Sequence, residues 1–399
     1  VKFLFRKRMA LMHLSEILMH LGEERHNYFN AVSPPVMQTS NFAFDTLDDF
    51  RQAIAQEAQQ PVYSRGHNPT VAILRKKLAA LEHAEDALVF GSGMGAISAA
   101  ILAHCKAGGH IVTVAKPYSW THSILVNYLP RFGVSHTFVD GTDPEQIEAA
   151  IQDNTTLLYL ESPNSMTFEL QDLEACAAIA KKHGIPTCID NSYASPIFQN
   201  PIDFGIDMVV HSGTKYLNGH SDVVFGVLCG SHETIGRVFT GEYMTLGGVL
   251  SPHDASLVIR GLRTLELRMQ RTHESALEIA QQLEGHPAVG KVLHPWLPSF
   301  PQNELARRQM TGAGGLFSFY LDADTFRQAE RFFEGLERFL LAVSWGGHES
   351  LVMPATAFYG VPGREDSTTS WNLVRLYIGL EDSAWLWEGL EKGFQRMKA

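Results

Sequence analysis

The chain has 399 residues, 45% of them hydrophobic and 19% charged, enough to bury a sizeable core in two or three domains. Its formal charge of −11 argues against a nucleic-acid surface or an anionic membrane as the main partner. Cys105, Cys176, Cys188 and Cys229 stand far apart, with no Cys-x-x-Cys pair and no histidines at zinc spacing, so they read as reduced core thiols and no metal is expected. Residues 1–9 are basic, but the apolar residues after them are broken by His13, Ser15, Glu16 and His20. No signal-peptide core or membrane span forms, and a cytoplasmic enzyme is the expectation.

In chain order, residues 1–60 read as an N-terminal arm without a core of its own, carrying one short helix capped by Thr46 ahead of Asp48 and Asp49. A polar loop, Tyr63-Ser64-Arg65-Gly66-His67-Asn68-Pro69-Thr70, leads into a helix with apolar Val71, Leu74, Leu78 and Leu81. From residue 61 to 255 short apolar runs alternate with amphipathic segments, the pattern of an α/β domain with a largely parallel sheet. Strands are expected at 87–90, 110–115, 156–160, 185–189, 208–210 and 223–229, with helices at 96–105 and at 172–183, the latter closed by Gly184. Residues 252–284 read as one long helix or two abutting ones, with Arg260, Arg263, Arg268 and Arg271 solvated or ion-paired. Residues 256–399 form a smaller α+β C-terminal domain, with strands at 316–321 and 374–378 and helices at 326–341 and 385–397.

Three stretches carry chemistry. Gly91-Ser92-Gly93-Met94-Gly95 is a glycine-rich turn at a helix start, where free N–H groups and the helix dipole suit a phosphate. It does not have the full dinucleotide-binding spacing. Lys215 follows an apolar run and is flanked by Ser212 and Thr214, whose hydroxyls share a face of an extended chain. A buried lysine that loses its proton near neutral pH forms a Schiff base with an aldehyde, and pyridoxal phosphate supplies both aldehyde and phosphate. Asp190, at the end of a strand, is positioned to keep a pyridine nitrogen protonated. Taken alone, an Asp at a strand end and a Lys after a strand are common surface residues, and their spacing permits convergence without requiring it. Arg375, among apolar strand residues, needs an anionic partner.

The longer wording is specific. Ser212-Gly213-Thr214-Lys215-Tyr216-Leu217-Asn218-Gly219-His220-Ser221-Asp222 resembles the cofactor-lysine signature of the Cys/Met-metabolism family of pyridoxal phosphate enzymes, the trans-sulfuration enzymes. The resemblance runs from about residue 30 to the end. It implies a fold-type I α/β architecture, with a mostly parallel seven-stranded sheet in the large domain. It also implies Lys215 as the cofactor lysine and proton carrier, Asp190 at the pyridine nitrogen, and Tyr118 stacked on the ring. The phosphate falls to Gly93, Met94, Ser212 and Thr214, with Tyr63 and Arg65 reaching it from a neighbouring subunit. Arg375, Ser344, Ser165 and Tyr63 fall to the amino-acid substrate. The same resemblance implies a homo-oligomer with shared sites, a tetramer built as a dimer of dimers.

Among the branches, Ser165 and the wording around Ser344 and Arg375 lean toward cystathionine β-lyase, which cleaves cystathionine to homocysteine, pyruvate and ammonia. Cystathionine γ-synthase, cystathionine γ-lyase and methionine γ-lyase chemistry are the alternatives, because the same residues support γ-elimination and γ-replacement. Val343 departs from the acidic residue of the cystathionine-cleaving γ-lyase branch and from the aromatic residue of the β-lyase branch. Trp120 stands where methionine γ-lyases carry cysteine, and leans away from methionine.

Overall fold

The structure is a computed structural model and describes residues 12–359, 361 and 369–398. The basic stretch 1–9 lies outside the described residues.

The large domain is built on β1 (Asp86–Phe90), β2 (His110–Val114), β3 (Ser135–Val139), β4 (Thr155–Glu161), β5 (Thr187–Asp190), β6 (Met208–His211) and β7 (Gly226–Gly230). They form a seven-stranded sheet in the order β1-β7-β6-β5-β4-β2-β3. Its pairs are parallel except those of β7, which runs against both β1 and β6. Strands β2, β5, β6 and β7 are buried at every position, which explains why they read as continuous apolar runs: helices cover both faces. The edge strand β3, Ser-His-Thr-Phe-Val, buries only Val139 fully, and its polarity hides it from a hydrophobic pattern.

The C-terminal sheet comprises β8 (Val289–Leu293), β9 (Leu316–Leu321), β10 (Leu340–Leu341), β11 (Leu351–Pro354) and β12 (Leu373–Tyr377), in the order β10-β11-β12-β9-β8. It is antiparallel except for the β10–β11 pair. Phe317 and Phe319 meet Phe332 and Phe394 from two covering helices, Phe326–Glu334 and Ser383–Lys398. Each such side chain contributes roughly 1.5–3 kcal/mol when fully buried.

The 252–284 stretch is two abutting helices, Pro252–Leu262 and Leu265–Glu284, one of the two forms its pattern allows. Two features differ from the sequence pattern. Arg268 is neither solvated nor ion-paired but donates to the carbonyls of Tyr216 and Gly261 at 2.8 and 2.9 Å. The expected helix at 326–341 stops at Glu334. Gly335 packs on the C-terminal helix so closely that a Cβ would stand 2.8 Å from Gly393 Cα, and the chain leaves as β10. The arm packs on the large domain. Helix Leu14–Met19 buries Ile17 and Leu18 in the large-domain core. Behind it Lys77 and Glu23 pair at 3.1 Å with both side chains fully buried, and Lys77 also donates to the carbonyls of Ile17 and Leu18. Removing one partner of such a pair costs about 3–5 kcal/mol. Among the described residues no helix is long and apolar enough to cross a membrane.

Candidate active site

Parallel strands deliver their C-terminal ends to one edge of a sheet, and here β4, β5 and β6 bring Glu161, Asp190 and His211 to that edge. Glu161 lies opposite Asp190, and Asp190 opposite Val210. Asp190 is buried and its Oδ1 accepts from the Ser192 N–H at 2.9 Å. Burial pushes its carboxyl above the ordinary value, and the Ser192 bonds, His211 and Lys215 oppose that shift. His211 meets Glu82 at 2.5 Å, and Asn191 donates to the same Glu82 oxygen at 3.0 Å, so the segment just after Asp190 is anchored from beneath.

After β6 the chain turns rather than extends, because the Lys215 N–H bonds back to the Ser212 carbonyl at 3.1 Å. Ser212 and Thr214 therefore do not share a face of an extended strand. The Ser212 N–H donates to Ser192 Oγ at 2.6 Å, which ties the two strand-end loops together. Thr214, expected at the phosphate, spends its hydroxyl on the backbone of Phe225, donating to the carbonyl at 3.1 Å and accepting from the N–H at 2.9 Å. Arg268 holds the Tyr216 carbonyl, and Gly219, at φ +71, passes so close that a Cβ there would collide with the Arg268 guanidinium.

The Lys215 Nζ donates to Ser344 Oγ at 2.7 Å and stands 5.8 Å from the centre of the Trp345 ring. Burial, and after it the Arg375 charge, lowers its pKa from the usual 10.5 to about 8, with Asp190 opposing. The Ser344 loop belongs to the C-terminal domain and sits directly on the lysine turn. Ser344 has φ +80, and at Gly346, φ +86, a Cβ would stand 2.7 Å from the Tyr216 nitrogen.

Beside the lysine, Ser92 caps helix Gly93–Leu102, its Oγ accepting from the Gly95 N–H at 2.9 Å. The first N–H groups of this helix, those of Gly93 and Met94 among them, have no partner within it. A Cβ on Gly93 would come within 2.8 Å of Ser212, so only glycine lets the helix start and the Ser212 hydroxyl share one cradle.

On the opposite side, Arg375 is 8% exposed in β12, and its Nη1 donates to the Ser165 carbonyl at 3.1 Å. No carboxylate lies within ion-pair distance of it among the described residues. Burial lowers its pKa to about 10, against the pull of Glu161 and Tyr118. The Tyr118 N–H donates to Glu161 at 2.5 Å, and burial first, then Asp190 and Glu161, raise the phenol pKa. Burial, and next Asp190, also pushes Glu161 up to about 8.

Tyr63 and Arg65 lie outside this cluster. Arg65 stacks over the Tyr63 ring at 5.3 Å, and Tyr63 is 44% exposed. Trp120 and Val343 are more exposed still, at 58% and 67%. The sequence pattern does not pick out Glu161, Ser192, Arg268 or Trp345 as site residues. Glu161 and Ser192 each adjoin a motif at a strand end, whereas nothing local marks Arg268. No group of three or more His, Cys, Asp or Glu is arranged to hold a metal among the described residues.

A family model described as Cys/Met metabolism PLP-dependent enzyme matches residues 15–395. The chain belongs to that family. The match starts earlier than the resemblance from about residue 30, and so takes in all but the first residue of the helix Leu14–Met19. An L-methionine gamma-lyase from Pseudomonas deceptionensis is 41% identical over 95% of this chain and 96% of its own length. A putative cystathionine beta-lyase from Rhizobium johnstonii is 36% identical over 96% of each chain. The crystal structure of metB from Corynebacterium glutamicum superposes with a TM-score of 0.90 at 32% identity, covering 97% of this chain and 99% of that one. The protein is thus a pyridoxal phosphate-dependent enzyme of sulfur amino-acid metabolism. Its residues fit the cofactor: a lysine of lowered pKa, a buried carboxylate, and a glycine cradle that a Cβ would fill.

Proposed function

We propose that the protein is a carbon–sulfur lyase that eliminates the thiol from Cγ of L-methionine, giving methanethiol, 2-oxobutanoate and ammonia. The lyase chemistry rests on one observation: the Lys215 amine, held at a pKa of about 8, faces a buried Arg375 that has no carboxylate partner among the described residues. Likeness to an L-methionine gamma-lyase over most of both chains supports Cγ as the site of cleavage. Val343, beside Ser344, supports it further. An uncharged residue suits a thioether, whereas cystathionine carries a second ammonium and carboxylate that call for charged partners. Trp120 leans away from methionine and counts against this reading; like Val343, it is more than half exposed.

Arg375 grips the substrate carboxylate as a charge-assisted pair. When bound, pyridoxal phosphate supplies the electron sink for the pair left at Cα. Asp190 carries the negative charge that keeps the pyridine nitrogen protonated. The N–H groups of Gly93 and Met94 and the hydroxyl of Ser212 bind the phosphate, and Thr214 frames their loop. Tyr63 and Arg65 of the partner subunit complete the phosphate site, in a tetramer made of two such dimers. Lys215 takes the Cα proton and then works at Cβ, within reach of Ser344. Tyr118 stacks on the ring, and its phenol, kept protonated by a raised pKa, donates to the departing sulfur. The compartment is the cytoplasm.

Cystathionine β-elimination is the second reading, favoured by Ser165 and by the Rhizobium relative. Supplying the loaded protein with L-methionine and with L-cystathionine, and identifying the keto acids, separates the two. Methanethiol with 2-oxobutanoate from methionine supports the first. Pyruvate with homocysteine from cystathionine, and no methionine turnover, transfers the assignment to the second.

A further inference from the structure

Glu161 is a buried ionisable group to which the chemistry above gives no task. It closes β4 opposite Asp190, and its two carboxylate oxygens are used separately. Oε2 accepts from the Tyr118 N–H at 2.5 Å, and Oε1 accepts from the Ser165 N–H at 3.2 Å. These two amides belong to different loops, one after β2 and one after β4. The Tyr118 loop carries the ring proposed to stack on the cofactor. The Ser165 loop carries the carbonyl that accepts from Arg375 Nη1 at 3.1 Å and so aims the guanidinium.

We propose that Glu161 is a positioning residue that locks the ring-stacking Tyr118 and the carboxylate-gripping Ser165–Arg375 pair into one unit. A side chain with a single acceptor cannot do this, because each oxygen already serves a different backbone donor. A mere counter-ion for Arg375 would not need this geometry, and no direct Arg375–Glu161 ion pair forms among the described residues. Asp190 on β5 and Arg375 on β12 interact electrostatically with Glu161, as do the phenols of Tyr118 and Tyr159. The role rests on the proposed assignment of Tyr118 to the cofactor and Arg375 to the substrate carboxylate.

The test is Glu161→Gln, which keeps the shape but turns one acceptor oxygen into an amide NH2 donor that faces an N–H donor. Hydrogen–deuterium exchange on the cofactor-loaded protein reads the peptides holding the Tyr118 and Ser165 amides. The clamp predicts faster exchange in both peptides, by about tenfold or more, since hydrogen bonds to charged groups contribute roughly 1.5–3 kcal/mol. It also predicts weaker binding of glycine, an amino acid with no side chain to recognise, as read from the visible cofactor band. Unchanged exchange in both peptides overturns the proposal. Faster exchange in only one peptide overturns the coupling, and loosening spread equally through the five-stranded sheet marks a purely structural residue and overturns it too. Glu161→Asp, which keeps two oxygens on a shorter stem, carries the same readouts if the Gln variant does not fold. Exchange at these two amides reads the clamp even if no amino acid is cleaved, which separates its failure from failure of the proposed function.

Discussion

In the large domain Glu161, Asp190 and the Lys215 turn come from the ends of three adjacent parallel strands, the first two ends linked through Gln199, which donates to the Ser162 carbonyl and to Asn191, and the last two through Ser192, which accepts from the Ser212 N–H. In the C-terminal domain Arg375 sits within an antiparallel strand, and Ser344 sits in a loop with left-handed backbone. The first region offers little freedom, because moving one strand end moves its neighbours. The second reaches the lysine through a single loop, and that loop opens on exposed Val343. On the proposed assignment, cofactor chemistry is built on the shared strand edge and substrate choice on the Ser344 loop and Arg375, so one cofactor site can serve several reactions.

That comparison is broken most severely at the lysine. Lys215→Ala should lower kcat by about 10²–10⁴-fold, the usual cost of losing a proton-transfer group, and abolish the visible absorbance of the bound cofactor. Arg375→Leu should act from the other domain only: kcat/KM falls by about 10²-fold as a charge-assisted pair is lost, the change lies in KM, and the cofactor spectrum stays as it was. A spectrum that changed as much as with Lys215→Ala would erase the division between the domains.

Exposure of Tyr63 and Arg65 gives a third break. If they serve the partner's phosphate, mixing inactive Arg65→Ala and Lys215→Ala subunits should restore about a quarter of the native activity, because half of random dimers carry one intact site. No recovery after verified subunit exchange would confine the site to one chain.

The mildest effect is in pH. The Lys215 amine titrates at about 8 in the folded protein, below the 10.5 of an ordinary lysine, so capture of cofactor by the cofactor-free protein should accelerate as pH rises through about 8. The unfolded chain holds that proton more tightly. This lysine therefore costs stability fully below about pH 8, and the cost fades toward 10.5. Arg375→Leu removes a lowering contribution and should shift the capture midpoint upward, as stopped-flow absorbance would read.

Much of the frame was legible in sequence because buried parallel strands are continuous apolar runs, and because Gly184, Asn68 and Thr46 mark helix ends with side chains or backbone that only caps use. Strands β3 and β8 were not, since a half-exposed edge needs no apolar pattern. The site divides in the same way. Lys215 is visible because it sits in a long contiguous signature and Asp190 because it ends an apolar strand, whereas Thr214's bond to Phe225 and Arg268's grip on Tyr216 depend on how the chain folds back. A buried arginine satisfied by carbonyls looks, in sequence, like any arginine on a helix. The buried pair between Glu23 of the arm and Lys77 of the large domain was hidden for a similar reason, since a hydrophobic pattern counts charges as surface.

The most direct measurement is to reduce the cofactor-loaded protein with borohydride, digest it, and locate the pyridoxyl group by mass spectrometry. A single modified peptide with the group on Lys215 is the predicted result. Modification of another lysine, with Lys215 unmodified, would contradict the account at its centre.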